Sequence, residues 1–557
     1  MQINKNDLIS QIERHRDGAY NYRERRHDSW DEIYELYRDR VRVNRITQRQ
    51  SVNLPLMKET VRTILAKNDD PTELVFKERG NNKEKELYLN EYWKEWTIIE
   101  KYAAKDQIDK KQELLAGRSF IKLNFGYGRP LMTVEDCQDL LVDRYCDPAD
   151  IETANFIRHE HIYKTLDDLK GNAIYDQDAV TRLASIYSTG QGMIVAQANA
   201  ESAQQAVQRM QAMGDTEADA PTYGATIVEI SENYLKLWDE EEGMLRVLLA
   251  VMGGQELLYH DWLENILGVN FYPFITWADD IEKLDFWSDG VGDVVKTPNK
   301  ILNAYFSQMI ENRTLRNFGM NFYDKTAAED FTPQTFIPRA WGWYGLPGKP
   351  NEVYRPVEVP LLTESINEMQ FIIGSIERAT AATAIEKGTG EKKQITLGEV
   401  QLLAAKANER IESHKKFYKP AREELGRKWV AIVNANVDKM EPITLYKKSY
   451  KGNMFEKKLD PKELFSKDGY DCEVLSKSEF EENQLQELQK LNAVAGKYPA
   501  NTALQKLLEK KMLEMTNLSQ EEIKEVIEFE ERMMQTQQAP PELPGPVAPA
   551  ITQPVAA

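Results

Sequence analysis

The stretch YPFITWADDIEKLDFWSDGVGDVVKTPNKILNAYFSQMIENRTLRN, Tyr272–Asn317, divides the chain into two halves of different character. It opens on a short strand-like run around Phe274 and closes a block in which helices and strands alternate. At Gly290-Val291-Gly292 the pattern changes. A helix of about 25 residues follows, with apolar positions at Val294, Ile301, Leu302, Tyr305, Met309 and Ile310. Pro298 either starts its main body or kinks it, because proline lacks an amide hydrogen. The two glycines lack the rest of a dinucleotide-binding signature, and a tight turn into the helix is the better reading.

Upstream, residues 1–49 read as a helical arm, with Trp30, Ile33, Tyr34 and Tyr37 at helical spacing. Its arginines, Arg23, Arg25, Arg26, Arg38, Arg40, Arg42, Arg45 and Arg49, are expected on a solvated face paired with nearby acids. Residues 50–289 then form an α+β block. A long helix over 83–115 should end at Gly117, and Phe120 to Phe125 alternates like a strand. Asp147-Pro148 marks a turn, and a short helix should begin near Thr165. Residues 171–222 look like an inserted segment, Ala- and Gln-rich and helical in part. Strands joined by the acidic turn Asp239–Glu242 complete the block.

Downstream, proline, glycine and aromatic residues dominate 318–360, which suits short strands and turns. A second long helix is expected over 361–385, lined by Ile366, Met369, Ile373 and Ile376. The lysine- and glycine-bearing loop AIEKGTGEKKQITLGEV, Ala384–Val400, leads into a third helix of about 40 residues. Thr396 and Glu399 have capping-box spacing at its start, and Pro420 predicts a kink within it. A mixed segment follows, then helices at about 477–496, 501–516 and 519–534, the last with a second capping box at Ser519 and Glu522. From Thr536 the proline- and alanine-rich tail is expected to be disordered.

Composition narrows the function. Hydrophobic residues make up 41% and charged residues 29% of the 557, so most of the chain should fold. No run approaches the roughly 18 apolar residues of a membrane helix. The first residues are polar where a signal peptide is apolar, so neither membrane insertion nor secretion is expected. Three cysteines make no disulfide framework. A net charge of -19 argues against wrapping nucleic acid with a basic face, yet suits a surface that DNA slides past without sticking.

The usual chemical motifs fail. GTGEKKQIT lacks the order of a phosphate-binding loop. His159 and His161 stand two apart, on one face of a probable strand, without a third metal ligand near in sequence. The carboxylates of Asp239–Glu242 fit an exposed turn better than a metal site, and no nucleophile sits beside a base. No enzyme activity, cofactor or metal is expected.

The order of elements resembles the portal proteins of tailed bacteriophages, of podovirus type, over roughly residues 20–535. DPADIETANFIRHEHIYKTLDDLK (Asp147–Lys170) looks like the portal segment in which a turn and an Ala-x-Phe strand precede a short helix. The opening stretch looks like the start of the first stem helix, with an inward asparagine at Asn303. ATAATAIEKGTGEKKQITLGEVQLLAAKANERI (Ala379–Ile411) looks like the end of the second stem helix, the tunnel loop and the long helix after it. Pro298 and the inserted segment near 190–222 depart from the pattern.

The resemblance implies an α+β, predominantly helical portal fold assembled as a dodecameric ring at one capsid vertex, around double-stranded DNA. It places the wing at 50–289 with a return at 440–475, and the stem at 290–317 and 361–385. It places the clip at 318–360, the tunnel loop at 386–395, the long helix at 396–439 and the helical crown at 476–535, before the tail at 536–557. Lys387, Lys392 and Lys393 would contact phosphates without sequence preference, and Gly388 and Gly390 would let the loop move. Trp341, Trp343 and Tyr344 in the clip would meet the terminase large subunit and then head–tail adaptor or tail proteins. Major capsid and scaffold proteins would be further partners. The implied location is the virion, after assembly in the host cytoplasm. A viral scaffold or adaptor that does not bind DNA is the alternative, followed by a nucleic-acid enzyme with scattered carboxylates.

Overall fold

The computed structural model describes residues 4–38, 53–67, 72–80, 82–187, 227–317, 321–323, 354–356, 364–380, 397–448 and 454–476. In chain order the first elements are α1 (Lys5–Tyr37), α2 (Leu56–Lys67), β1 (Thr72–Glu78), α3 (Lys83–Ile99) and α4 (Tyr102–Ala116). Strands β2 (Ser119–Gly126), β3 (Arg129–Glu135), β4 (Leu140–Val142) and β5 (Phe156–Thr165) follow, then α5 (Leu166–Gly171) and α6 (Gln177–Tyr187). Next come β6 (Ile227–Asp239), β7 (Met244–Gly253), β8 (Glu256–Trp262), α7 (Leu263–Leu267) and β9 (Phe274–Trp277). The later elements are α8 (Val291–Asn317), β10 (Asn321–Tyr323), β11 (Tyr354–Pro356), α9 (Glu364–Thr380) and α10 (Leu397–Ala435). Strands β12 (Ile443–Lys448), β13 (Met454–Leu459) and β14 (Tyr470–Ser476) complete the set. The chain divides into two compact units, one of Met1–Glu441 with Leu464–Val474 and one of Pro442–Glu463 with Leu475–Ala557.

The first unit is mixed α and β. Its largest sheet is antiparallel, in the order β4-β5-β6-β7-β8. A second, β3-β2-β9, is also antiparallel. Helix α1 explains how sheet and helices share a core. Its first half buries Leu8, Ile12 and Ala19 against Leu141, Phe156, Leu235, Leu248 and Met252 of the large sheet. Its second half buries Ile33 with Met57, Val61, Leu114, Leu115, Val295 and Ile376 of four other helices. The N-terminal helix is therefore built into the body over its whole length.

The expected solvated arginine face needs correction at Arg23 alone: Arg25 and Arg38 are exposed, Arg26 pairs with Asp289 and Asp293, and Arg40, Arg42, Arg45 and Arg49 lie outside the described residues. Arg23 is fully buried and donates to the carbonyls of Gln138 at 2.6 Å and Leu140 at 3.0 Å. The paired histidines are also placed differently. The ladder between β5 and β6 shifts register between His159 and Ile162, and His161 adopts a left-handed φ of 58°. The bulge turns the two rings apart. His159 meets Glu135 at 3.2 Å and Lys122 at 3.1 Å, whereas His161 meets Asp139 at 3.0 Å.

Local signals were obeyed elsewhere. Thr165 and Asp168 form a capping box at the start of α5. The β6–β7 hairpin turns at the acidic run, where Asp239 pairs with Met244 in register. Helix α6 begins the segment read as an insertion, yet Ala179, Val180 and Leu183 are buried there. Trp429 of α10 is fully buried in an aromatic cluster with Phe76, Trp93 and Trp96, at centroid distances of 5.5, 4.9 and 5.4 Å. Aromatic pairs at such spacings add about 0.5–1.5 kcal/mol each beyond burial.

Candidate functional site

The candidate site is the framework that holds the long helices α8 and α10; the chain's lysine- and glycine-bearing loop lies between α9 and α10. Helices α8 and α10 both attach to one short helix, α4.

The attachment of α8 depends on glycine. Helix α4 ends at Gly117 in the left-handed region, φ 83°, with its amide donating to Glu113 O at 2.7 Å. A methyl group at Gly117 would fall on the Ser288 carbonyl. One at Gly290 would come within 2.7 Å of Gly117 N, and one at Gly292 within 2.7 Å of Ile33 Cγ2 and onto the Leu115 carbonyl. The Gly-Val-Gly run thus permits close backbone approach as well as a tight turn. Around it, Asp293 accepts from Arg26 at 2.6 Å, from Ser29 at 2.7 Å and from the amide of Gly290 at 3.2 Å. A carboxylate in the first turn also complements the helix dipole. Trp30 Nε1 donates to the Ala116 carbonyl at 3.0 Å, satisfying a group at the end of α4.

Gly292 also sets the rotation of α8. Residues on its face at helical spacing, Val295, Asn299 and Leu302, are buried, whereas Val294 and Ile301 are 48% and 42% exposed. The apolar line expected through Val294 and Ile301 is therefore one position away from the buried one. Helix α8 runs continuously through Pro298.

The attachment of α10 is electrostatic. Asp106, Asp109 and Glu113 share one buried face of α4. Arg422 of α10, fully buried, donates to Asp106 Oδ1 at 3.0 Å and Asp109 Oδ2 at 2.5 Å. Tyr418 adds a bond to Asp106 at 2.6 Å, and Lys110 lies 2.9 Å from its other oxygen. Burial opposes the charge on Asp106, but Arg422 and Lys110 outweigh it and hold its carboxyl below the usual range. Asp109 also accepts from Ser119 at 2.6 Å and Trp277 at 2.8 Å. Glu113 has no cation in contact. Burial first, and then the Asp279 charge, push its carboxyl up to about 8.

Asn303 is half-buried on α8. Its Oδ1 accepts from Leu54 N at 2.8 Å, and its Nδ2 donates to Asn53 at 2.5 Å. In the protomer it holds the segment that leads into α2. Lys387, Gly388, Gly390, Lys392 and Lys393, and the clip residues Trp341, Trp343 and Tyr344, lie outside the described residues, as do Thr396 and the helices expected beyond residue 476. Helix α10 begins at Leu397, beside that expected cap.

Sequence reasoning missed Asp106, Asp109, Glu113 and Arg422. The three acids stand at i, i+3 and i+7, a spacing that marks one helix face and was available as a signal. Arg422 carried none, being one of many cations in a polar-looking helix. Among the described residues no group of three or more metal-ligating side chains is gathered, and no helix is long and apolar enough to cross a membrane.

No curated protein matches the chain. Residues 40–553 match the family described as phage SU10 portal protein, a span that takes in both long helices, the lysine- and glycine-bearing loop and α4. The chain belongs to that family and is a tailed-phage portal protein.

Proposed function

We propose that this portal protein forms the dodecameric ring at one capsid vertex, through which double-stranded DNA is packaged and later ejected. Helices α8 and α9 are the stem, residues 318–360 the clip and residues 386–395 the tunnel loop. The clip docks the terminase large subunit during packaging and head–tail adaptor or tail proteins afterwards, with Trp341, Trp343 and Tyr344 on the contact surface. The ring is built in the host cytoplasm with major capsid and scaffold proteins and remains in the virion. The protein acts as a channel and a docking platform, without catalysis.

The observation that carries this reading is the attachment of both long helices to α4. Helices that flank a moving polyanion must keep their place as it passes. Close glycine contacts and a buried Arg–Asp–Asp cluster supply that rigidity. The loop that leads into α10 holds Lys387, Lys392 and Lys393 in a chain of net charge -19. In a ring, each lysine becomes a ring of charges able to meet phosphates at any rotation.

Deleting Gly388 to Lys393 tests the assignment. Rings of normal size should form, seen by native mass measurement or negative-stain imaging, while DNA packaging or retention falls. Normal packaging and retention by such rings would remove the loop's role. A chain that stays monomeric under all conditions would remove the ring itself.

A further inference from the structure

Helix α4 is turned inside out. Its charged residues Asp106, Asp109, Lys110 and Glu113 are buried. Its outward residues Ala103, Ala104, Gln107 and Ile108 carry no charge. A surface helix ordinarily shows the reverse, with apolar residues inward and charges in water. At the end of α3, just before it, Ile98 is 72% exposed and Ile99 is exposed as well. The α3–α4 corner thus gathers isoleucines and alanines on the outside of the protomer, a surface of the kind that marks a contact. Its rim is positive. Between residues 91 and 108 the exposed charged residues are Lys94 and Lys101, whereas Glu91 and Glu95 are half-buried. Lys94, Ile98 and Lys101 follow helical spacing, so the two lysines bracket the most exposed isoleucine.

The tip of the β6–β7 hairpin has the opposite rim. Trp238 and Leu245 are cross-strand partners, so both side chains stand on the same face of the ribbon. They are 60% and 57% exposed. Single exposed hydrophobic residues are common, but a registered Trp–Leu pair at a hairpin tip is a ready anchor. The turn just beyond it is Glu240, Glu241 and Glu242, all exposed. The nearby cation, Arg246, is engaged by Asp239 at 2.7 Å and Glu264 at 2.9 Å, so it does not offset them. An apolar anchor rimmed by carboxylates and an apolar corner rimmed by lysines are chemical complements.

We propose that the β6–β7 tip of one copy docks on the α3–α4 corner of a neighbouring copy of this chain. Trp238 and Leu245 bury against Ile98, Ile99 and Ile108, while Glu240 and Glu242 meet Lys94 and Lys101. Each copy carries both surfaces and the two differ, so the contact is head-to-tail and repeats around a closed ring. It also covers the face of α4 that the protomer leaves bare. This inference rests on the ring reading above and names one contact within it.

Two singly substituted chains, Glu240→Cys and Lys94→Cys, should be mixed, assembled and treated with a short thiol-to-thiol cross-linker. A covalently linked pair of chains is expected in the mixed assembly and in neither variant alone. Mixed rings that give no linked pair overturn the proposal and leave the ring reading intact. As a second measurement, reversing Glu240 and Glu242 to Lys should raise the half-assembly concentration about tenfold at low salt. The effect should fade at high salt, where charges are screened. Reversing Lys94 and Lys101 to Glu in the same chain should restore assembly. Rings that form at the wild-type concentration in the double Glu-to-Lys reversal would overturn the contact. A wild-type chain that never assembles would overturn both the contact and the ring.

Discussion

Replacing Glu113 with Gln should stabilise the protein, and only at neutral and alkaline pH. The side chain is 2% exposed, and Oε1 accepts from Asp279 N at 3.1 Å. The other oxygen is buried without a hydrogen-bond partner. Burial, with the Asp279 and Asp109 charges adding to it, raises the carboxyl from 4.5 to about 8. The folded value lies above the unfolded one, so folding takes up a proton between those two pH values. Stability from this group is complete below the unfolded value and is lost as pH rises to the folded one. By linkage the wild type should lose about 3–4 kcal/mol between pH 5 and pH 8 through Glu113 alone. Glutamine keeps the acceptor for Asp279 N and cannot ionise. Urea unfolding of both proteins at pH 5 and pH 8 should therefore show the variant's advantage growing by that amount. Titrations common to both chains cancel in the comparison. Equal pH slopes for the two proteins would show that Glu113 is solvated or paired and would refute the argument.

Other substitutions probe the same framework. Gly292→Ala would push a methyl into the Leu115 carbonyl and Ile33, and should cost about 1–3 kcal/mol by thermal or urea unfolding. Gly374→Ala in α9 meets nothing within 4 Å, and should instead gain about 0.4–1 kcal/mol; similar effects at both glycines would contradict the close-approach account. Arg422→Met leaves Asp106 and Asp109 without their shared cation and should cost about 3–5 kcal/mol. Adding Asp106→Asn should recover part of that loss, and a double-mutant cycle with no coupling would sink the ion-cluster reading.

What was legible in the sequence were features whose physics is local. Gly117 ends α4, Thr165 caps α5 and the acidic run turns the β6–β7 hairpin, as expected. Each rests on a few neighbouring residues and a backbone preference. Helices α8 and α10 announced themselves by length and period, whereas the single helix expected over 83–115 breaks into α3 and α4 at Lys101, which takes a left-handed φ of 53°. What failed depended on partners far away in sequence. Arg422 meets Asp106 across 316 positions, and no composition or spacing rule links them. Arg23 read as a surface cation because its partners, the carbonyls of Gln138 and Leu140, have no side-chain signature. The face of α8 was misjudged by one residue, because it is set by a glycine contact and not by its own apolar pattern. The histidine pair was misread for a similar reason: a bulge, invisible in periodicity, separates the two rings.

Helix α4 has a mechanical consequence. It is gripped by Arg422 at Asp109 and by the glycine contacts at Gly117, about 12 Å apart along the helix axis. An α-helix transmits axial load with little change in length, so α4 works as a strut. A push on α10 is delivered to the first turn of α8 through α4, without following the chain that joins the two. Strain entering α10 is thereby shared with α8 through α4.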